Sequence, residues 1–351
     1  MWFILVAYVF FLGITTQPLN TSRNKKIFLV LAGIAVIAVM GLRGDTHAEV
    51  YDLRVYKNYY SLIAYTPWQD IFSVGDFEPG YAILNKLLSS VFIWDQTIIF
   101  FEAFICVFAV SRFIYKNTEH VFESMLFFIT LGSMGFMLTG IRQSIAIAIC
   151  ILSVESIKRK RFVPFFLYML AAVSIHRSSL VFIFALFILN LRVLKLNKWF
   201  NIPIVLGMML FSSLVLEFGN FLSEGEISTG GALTLSFNGI VPIMIYTVAI
   251  VFQIISDNNN PNNQGTGYIA TMTSIGLGLY FLRFYSMIFE RIAFYYSYGH
   301  IVALSSVFDW VDKQDYKLRT VMRLIIYGLC ILLFYHRLKT AEYGNYMFFW
   351  Q

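Results

Sequence analysis

The chain has 351 residues, of which 58% are hydrophobic and 13% charged, with a net charge of +6 and a mean hydropathy of +0.70. A soluble domain carries roughly 25% charged residues, so this composition excludes an ordinary water-soluble enzyme. Apolar runs long enough to cross a bilayer recur along the whole length, and the alternating short strands of a barrel are absent, which predicts an all-α polytopic integral membrane protein.

The first apolar run, Trp2 to Thr16, lacks a basic leader and a small-residue cleavage site and reads as a retained helix rather than a signal peptide. Further spans are predicted over 27–42, 97–115, 122–138, 141–157, 162–177, 179–194, 200–217, 239–256, 267–286, 291–308 and 320–336, about twelve in all. They form a single transmembrane domain over 1–351 with no internal repeat. Cys106, Cys150 and Cys330 lie in apolar segments at no pairing or metal-ligand spacing, so neither disulfides nor structural zinc are expected.

Orientation follows from the basic loops. Arg23, Lys25 and Lys26 follow the first span, Arg112 and Lys116 close the third, and Lys158–Arg161 follow the fifth. Arg192, Lys195 and Lys198 follow the seventh, and Lys313, Lys317 and Arg319 precede the last. With this span count all five groups share one face, which is then cytoplasmic, and both termini lie outside. Positive charge used in this way gives no reason to expect nucleic acid as a partner. Residues 79–94, PGYAILNKLLSSVFIW, would disturb this order as a further span. They are predicted to be a re-entrant or interfacial helix, with Asn85 and Lys86 on its polar side. The stretch 43–96 becomes a large outer loop, and such loops usually carry function. Within it, apolar positions 51, 55, 59 and 63 predict an amphipathic helix on the membrane. Its tyrosines, from Tyr51 to Tyr65, suit an interfacial aromatic belt or stacking on sugars. A second outer loop, 218–238, is rich in glycine and polar residues, is expected to be mobile, and could close over a substrate.

The ionisable residues that the basic loops do not use are Arg43, Asp45, His47, Glu49, Asp52, Glu78, Arg142, His176, Arg177, Arg283, Glu290, Arg291, His336 and Arg337. All fall at outer ends of spans or in outer loops, although the positive-inside rule predicts a shortage of arginine there. Charge at membrane depth is costly and often marks a substrate path. Arginine suits phosphate and pyrophosphate because its fork is planar and permanently charged. Arg142 stands at the start of an apolar helix whose N-terminal dipole turns toward the same space, which predicts an anion there. In GLRGDTHAEVYD, Arg43 and Asp45 read either as a local ion pair or as a phosphate ligand beside a general base. In SIHRSSL, His176 is either a packed histidine or a proton acceptor. In RFYSMIFERIAFYY, Arg283, Glu290 and Arg291 flank a short outer turn, with Tyr295 and Tyr296 one turn deeper.

The segments GLRGD with its tyrosine-rich continuation, FEPGY at 77–81, GIRQSIAIAI at 140–149, HRSSL at 176–180 and ERIAFYY at 290–296, in this order, resemble the EpsG-like family of Wzy-type bacterial polysaccharide polymerases. The resemblance implies a glycosyltransferase of GT-C-like arrangement. It would join oligosaccharide repeat units carried on undecaprenyl diphosphate at the outer face of the inner membrane, releasing undecaprenyl diphosphate. The implied partners are lipid-linked donor and acceptor, with a chain-length regulator and a flippase of the same pathway. Arg142 and Arg291, then Arg43 and Arg283, are the expected diphosphate ligands; Asp45, then His176, the expected base. Arg177, Glu290, Gln143, Tyr51, Glu78 and Tyr295 are expected in supporting or substrate-contacting roles. No carboxylate cluster has Mg²⁺ spacing, so neither metal nor cofactor is expected. A lipid-linked glycan flippase or an O-antigen ligase would draw on similar residues. The crowding of polar residues on one side disfavours transport, which needs a route through both faces. An acyltransferase built on His176 would have it on the wrong face for a cytosolic donor.

Overall fold

A computed structural model describes residues 1–16, 21–44, 51–190, 199, 201–210, 237–258, 267–284, 288–339 and 346–350. They form the helices α1 (Trp2–Thr16), α2 (Ser22–Gly41), α3 (Tyr51–Tyr65), α4 (Pro79–Ser89), α5 (Thr97–Asn117), α6 (Val121–Thr130), α7 (Ser133–Thr139), α8 (Ile141–Lys158), α9 (Phe162–Ile175), α10 (Ile183–Ile188), α11 (Asn201–Leu210), α12 (Phe237–Asn258), α13 (Gly267–Phe281), α14 (Ile288–Ser297), α15 (Gly299–Ser305), α16 (Val307–Val311) and α17 (Tyr316–Arg337), with no strand among the described residues. Helix α2 starts where the Thr21 hydroxyl accepts the Asn24 N–H at 3.2 Å, and α17 where the Asp315 carboxylate accepts those of Lys317 and Leu318.

Each predicted span holds helix, but not always one unbroken helix. Three of them, α2, α5 and α17, are each long and apolar enough to cross a bilayer. Segment 122–138 is instead α6 and α7, bent by 49°. The break is at Gly132, whose φ of +106° is a left-handed conformation and whose missing side chain leaves room for the Arg337 guanidinium. Segment 179–194 begins as a 3₁₀ turn (Arg177–Phe182) before α10, and 291–308 is divided among α14, α15 and α16.

The connections sort into two ends. At one end gather the basic segments among the described residues. Ser22 bonds Tyr115 at 3.0 Å, Lys25 pairs with Glu119, Lys158 with Asn117, and Thr118 bonds Ser305 at 2.9 Å. At the other end the segment 346–350 lies on the end of α2: Gly44 N–H donates to Met347 O and Phe349 N–H to Leu42 O, while Gln96 donates to Gly41 O and Arg43 O. Arg43 belongs to this seam. It is buried, with its guanidinium against the Met40 and Leu138 carbonyls and 3.4 Å from the fully buried Glu102 carboxylate. Sequence alone offered Arg43 a phosphate; the fold gives it the ends of α2 and α7.

The segment that carries α3 and α4 is seated by a small core of its own. Leu53, Tyr59, Tyr60 and Ile63 of α3 and Tyr81 and Ala82 of α4 pack on Ile98 and Ile99 of α5, Ile141 and Ile145 of α8, and Ile175 of α9. Among the described side chains of α3 the buried ones are 53, 59, 60 and 63, so 59 and 63 match the expected stripe and 55 is only half-buried. Tyr59 stacks on Tyr81 at 5.9 Å and meets Phe77 edge-on at 4.2 Å, so these rings build a cluster rather than a membrane belt. Helix α4 has eleven residues, about 16 Å of helix, and does not span. Its Asn85 and Lys86 are buried, not on a polar side: Lys86 Nζ donates to the Ile63 and Ala64 carbonyls, closing the end of α3.

Removing one member of a buried ion pair strands the other and costs roughly 3–5 kcal/mol, whereas replacing both with apolar groups is far milder. Arg43→Met is expected to lower the melting temperature of the detergent-solubilised protein sharply, and Arg43→Met with Glu102→Leu to recover most of the loss. Equal melting of the single variant and the native protein would mean the pair holds nothing.

Candidate functional site

The site grows from the start of α4. Pro79 occupies the first helical position, where its fixed φ and missing N–H suit a helix start. Glu78 before it is extended (φ −61°, ψ 145°) and does not cap its own helix. Gly80 lets this first turn press against the last turn of α9, since a Cβ there would lie 2.6 Å from the Ser174 carbonyl oxygen. The Glu78 side chain therefore reaches α9 directly. Its Oε1 meets His176 Nδ1 at 2.9 Å and accepts the Arg177 N–H at 3.1 Å; its Oε2 pairs with the Arg142 guanidinium.

Three segments far apart in sequence thus share one carboxylate. His176 terminates α9 in an extended conformation (φ −152°, ψ 116°), which turns its ring out of the helix line. With Nδ1 against a carboxylate, a neutral imidazole carries its proton there and leaves Nε2 as acceptor. Arg142 stands in the first turn of α8, where backbone N–H groups lack intrahelical partners. Its guanidinium lies over the Phe77 ring at 4.5 Å and the Tyr56 ring at 6.0 Å, a contact that holds the fork in place. Burial alone would push the Glu78 carboxyl up. The hydrogen bond from His176 and the charges of Arg142 and His176 outweigh it and hold the group at about 2.

Around this carboxylate lies a cavity in two adjoining lobes. The larger, about 700 Å³, is lined by Glu78, Arg142, Gln143, His176, Arg177 and Arg291, with Val173, Ile288 and Ile292 as apolar wall. The smaller, about 300 Å³, shares Arg142, Gln143, His176 and Arg291 and adds Tyr56, Phe136, Thr139, Gly140, Glu290 and Phe294. Gln143 Nε2 donates to the Arg291 carbonyl at 2.7 Å, pinning α8 to α14 where the lobes meet. The Arg291 side chain is exposed.

Of the residues expected from sequence, the cavity collects Arg142, Arg291, His176, Arg177, Gln143, Glu78 and Glu290. Arg43 is in the seam described above. Arg283 lies behind the smaller lobe, 3.2 Å from Glu290. Tyr295 is fully buried and bonds Ser178 at 2.9 Å, so it supports the wall rather than touching the cavity. Asp45 and most of the loop 218–238 lie outside the described residues, as does the Tyr51 side chain. Sequence reasoning gave Glu78 only a supporting place. The signal for it was an acidic residue directly before a helix-starting proline, in FEPGY. Nothing in the sequence singled out Phe136, Thr139 or Phe294.

A model of the EpsG family matches residues 26–350. No curated protein and no solved structure matches the chain.

A carboxyl held below its ordinary value adds stability above that value and loses it as pH falls through the lowered one. At neutral pH, Glu78→Gln is expected to melt below the native protein. The gap should be full above pH 4.5 and close as pH approaches about 2. A gap that persists unchanged at the acid end would mean the Glu78 charge is not what stabilises this end of the bundle.

Proposed function

Because the chain belongs to the EpsG family, a polysaccharide polymerase-like family of multi-pass membrane proteins, we propose that it is a glycosyltransferase joining oligosaccharide repeat units carried on undecaprenyl diphosphate. In this reading about twelve spans in a GT-C-like arrangement set the cavity toward the outer face of the bacterial inner membrane, and the basic end faces the cytosol. One observation carries it: Arg142, Arg291 and the Glu78–His176 pair, from four separate segments, line one cavity at the end of the bundle opposite the basic loops.

Each part has a chemical task. The leaving group is a diphosphate, and negative charge grows on it as the bond to the anomeric carbon breaks. Arg142 and Arg291, with the first turn of α8, stabilise that charge. The acceptor is a sugar hydroxyl. Its oxygen bonds the anomeric carbon while its proton passes to His176 Nε2, and the bonding pair leaves on the diphosphate oxygen. Glu78 accepts from Nδ1, fixes the tautomer, and balances the imidazolium that forms. Arg142 is thereby divided between Glu78 and the arriving diphosphate, so the carboxylate holds the guanidinium in place between turnovers. The apolar wall of Val173, Ile288 and Ile292 suits the first part of a polyprenyl chain.

Loss of one preorganised donor to a developing oxyanion costs about a hundredfold or more in rate. In vesicles supplied with lipid-linked repeat units, native protein is expected to yield polymer, and Arg142→Ala and Arg291→Ala at least about a hundredfold less at equal membrane level. Long chains from both variants, or substrate translocated but unjoined by the native protein, would contradict the reading.

A further inference from the structure

The cavity has two lobes, and joining two glycans takes two substrates. We propose that the smaller lobe is the binding subsite for the terminal sugar of the acceptor, while the larger lobe takes the donor; the assignment rests on the polymerase reading above.

The four residues common to both lobes, Arg142, Gln143, His176 and Arg291, include the base and both diphosphate arginines. That is the distribution a bimolecular transfer requires, because the acceptor hydroxyl and the donor diphosphate must meet at those groups and nowhere else. Beyond them, the lobes differ in chemistry. The smaller one contributes no cation of its own. It offers the rings of Tyr56, Phe136 and Phe294, the hydroxyl-bearing Thr139 and the Glu290 carboxylate. Aromatic ring surfaces beside an acceptor-bearing rim suit the C–H face and hydroxyl edge of a pyranose.

The walls of this lobe are built by helical spacing. Glu290 and Phe294 stand one turn apart on one face of α14, and Phe136, Thr139 and Gly140 one turn apart at the junction of α7 and α8. Phe136 and Phe294 stack at 4.1 Å with 21° between their planes, which ties the two walls together. Glu290 is fixed by Arg283 at 3.2 Å and by the Tyr280 hydroxyl at 3.4 Å, so its carboxylate is presented in a set orientation. A space of about 300 Å³ is at the small end of ligand pockets. It admits one end of a chain but not a growing polymer, which needs the wider lobe of about 700 Å³.

The test uses the full chain in detergent with two probes: inorganic pyrophosphate, and the lipid-free oligosaccharide released by mild acid from the host cell's own lipid-linked repeat unit. Phe294→Leu is expected to weaken oligosaccharide binding at least tenfold and to leave pyrophosphate binding within twofold, which also shows that the variant is folded. If Phe294→Leu loses pyrophosphate as well, Glu290→Gln is read in its place, with the same result expected. Oligosaccharide bound equally by native protein and variant overturns the subsite and leaves the polymerase reading standing. Native protein that binds pyrophosphate but no oligosaccharide overturns both.

Discussion

The carboxylate of Glu78 is the constraint on which this end of the molecule depends. It touches the end of α9 through His176 and the Arg177 N–H, and the start of α8 through Arg142. Isolated charges at membrane depth are expensive, and they persist when each satisfies another. One anion shared by a guanidinium, an imidazole and a backbone N–H meets that condition compactly. The same grouping leaves His176 with a defined tautomer and leaves Arg291 exposed beside it.

Everything near this carboxylate is arranged to bring it there. The aromatic cluster of Tyr59, Phe77 and Tyr81 seats the segment of α3 and α4 on the starts of α5 and α8. Gly80 has no side chain to hold the start of α4 off the end of α9. Lys86 closes the end of α3 from within α4. The Arg43–Glu102 pair then fixes the ends of α2 and α7 against α5, close to the point where α8 begins. A hydrophobic bundle tolerates these polar contacts because they are tied to one another.

Much of this was legible in the sequence. Arginine at the start of α8 and of α14, and histidine at the end of α9, stood out because the basic loops did not account for them. They converge on one cavity. Other features depend on neighbours that a linear reading cannot supply. Arg43 looked like a phosphate ligand because Glu102, its partner, is hidden inside an apolar helix far along the chain. Tyr56 and Tyr59 of α3 looked like part of a membrane belt because Phe77 and Tyr81, which they pack against, lie in a later segment of the chain. The break at Gly132 was invisible because the space its missing side chain leaves is filled by Arg337, which arrives from α17. Helix positions carried over well, since apolar run length sets them; which face is buried did not, since that is decided by contact.

The central claim is that the cavity opens on the outer face and that an anion enters it. The three native cysteines are buried, so a single exposed cysteine can report on this directly. With Arg177→Cys, whose position is exposed at the cavity edge, a membrane-impermeant maleimide should label intact spheroplasts, and pyrophosphate should slow that labelling. Labelling only after the cytosolic side is opened, with no protection by pyrophosphate, would contradict the account.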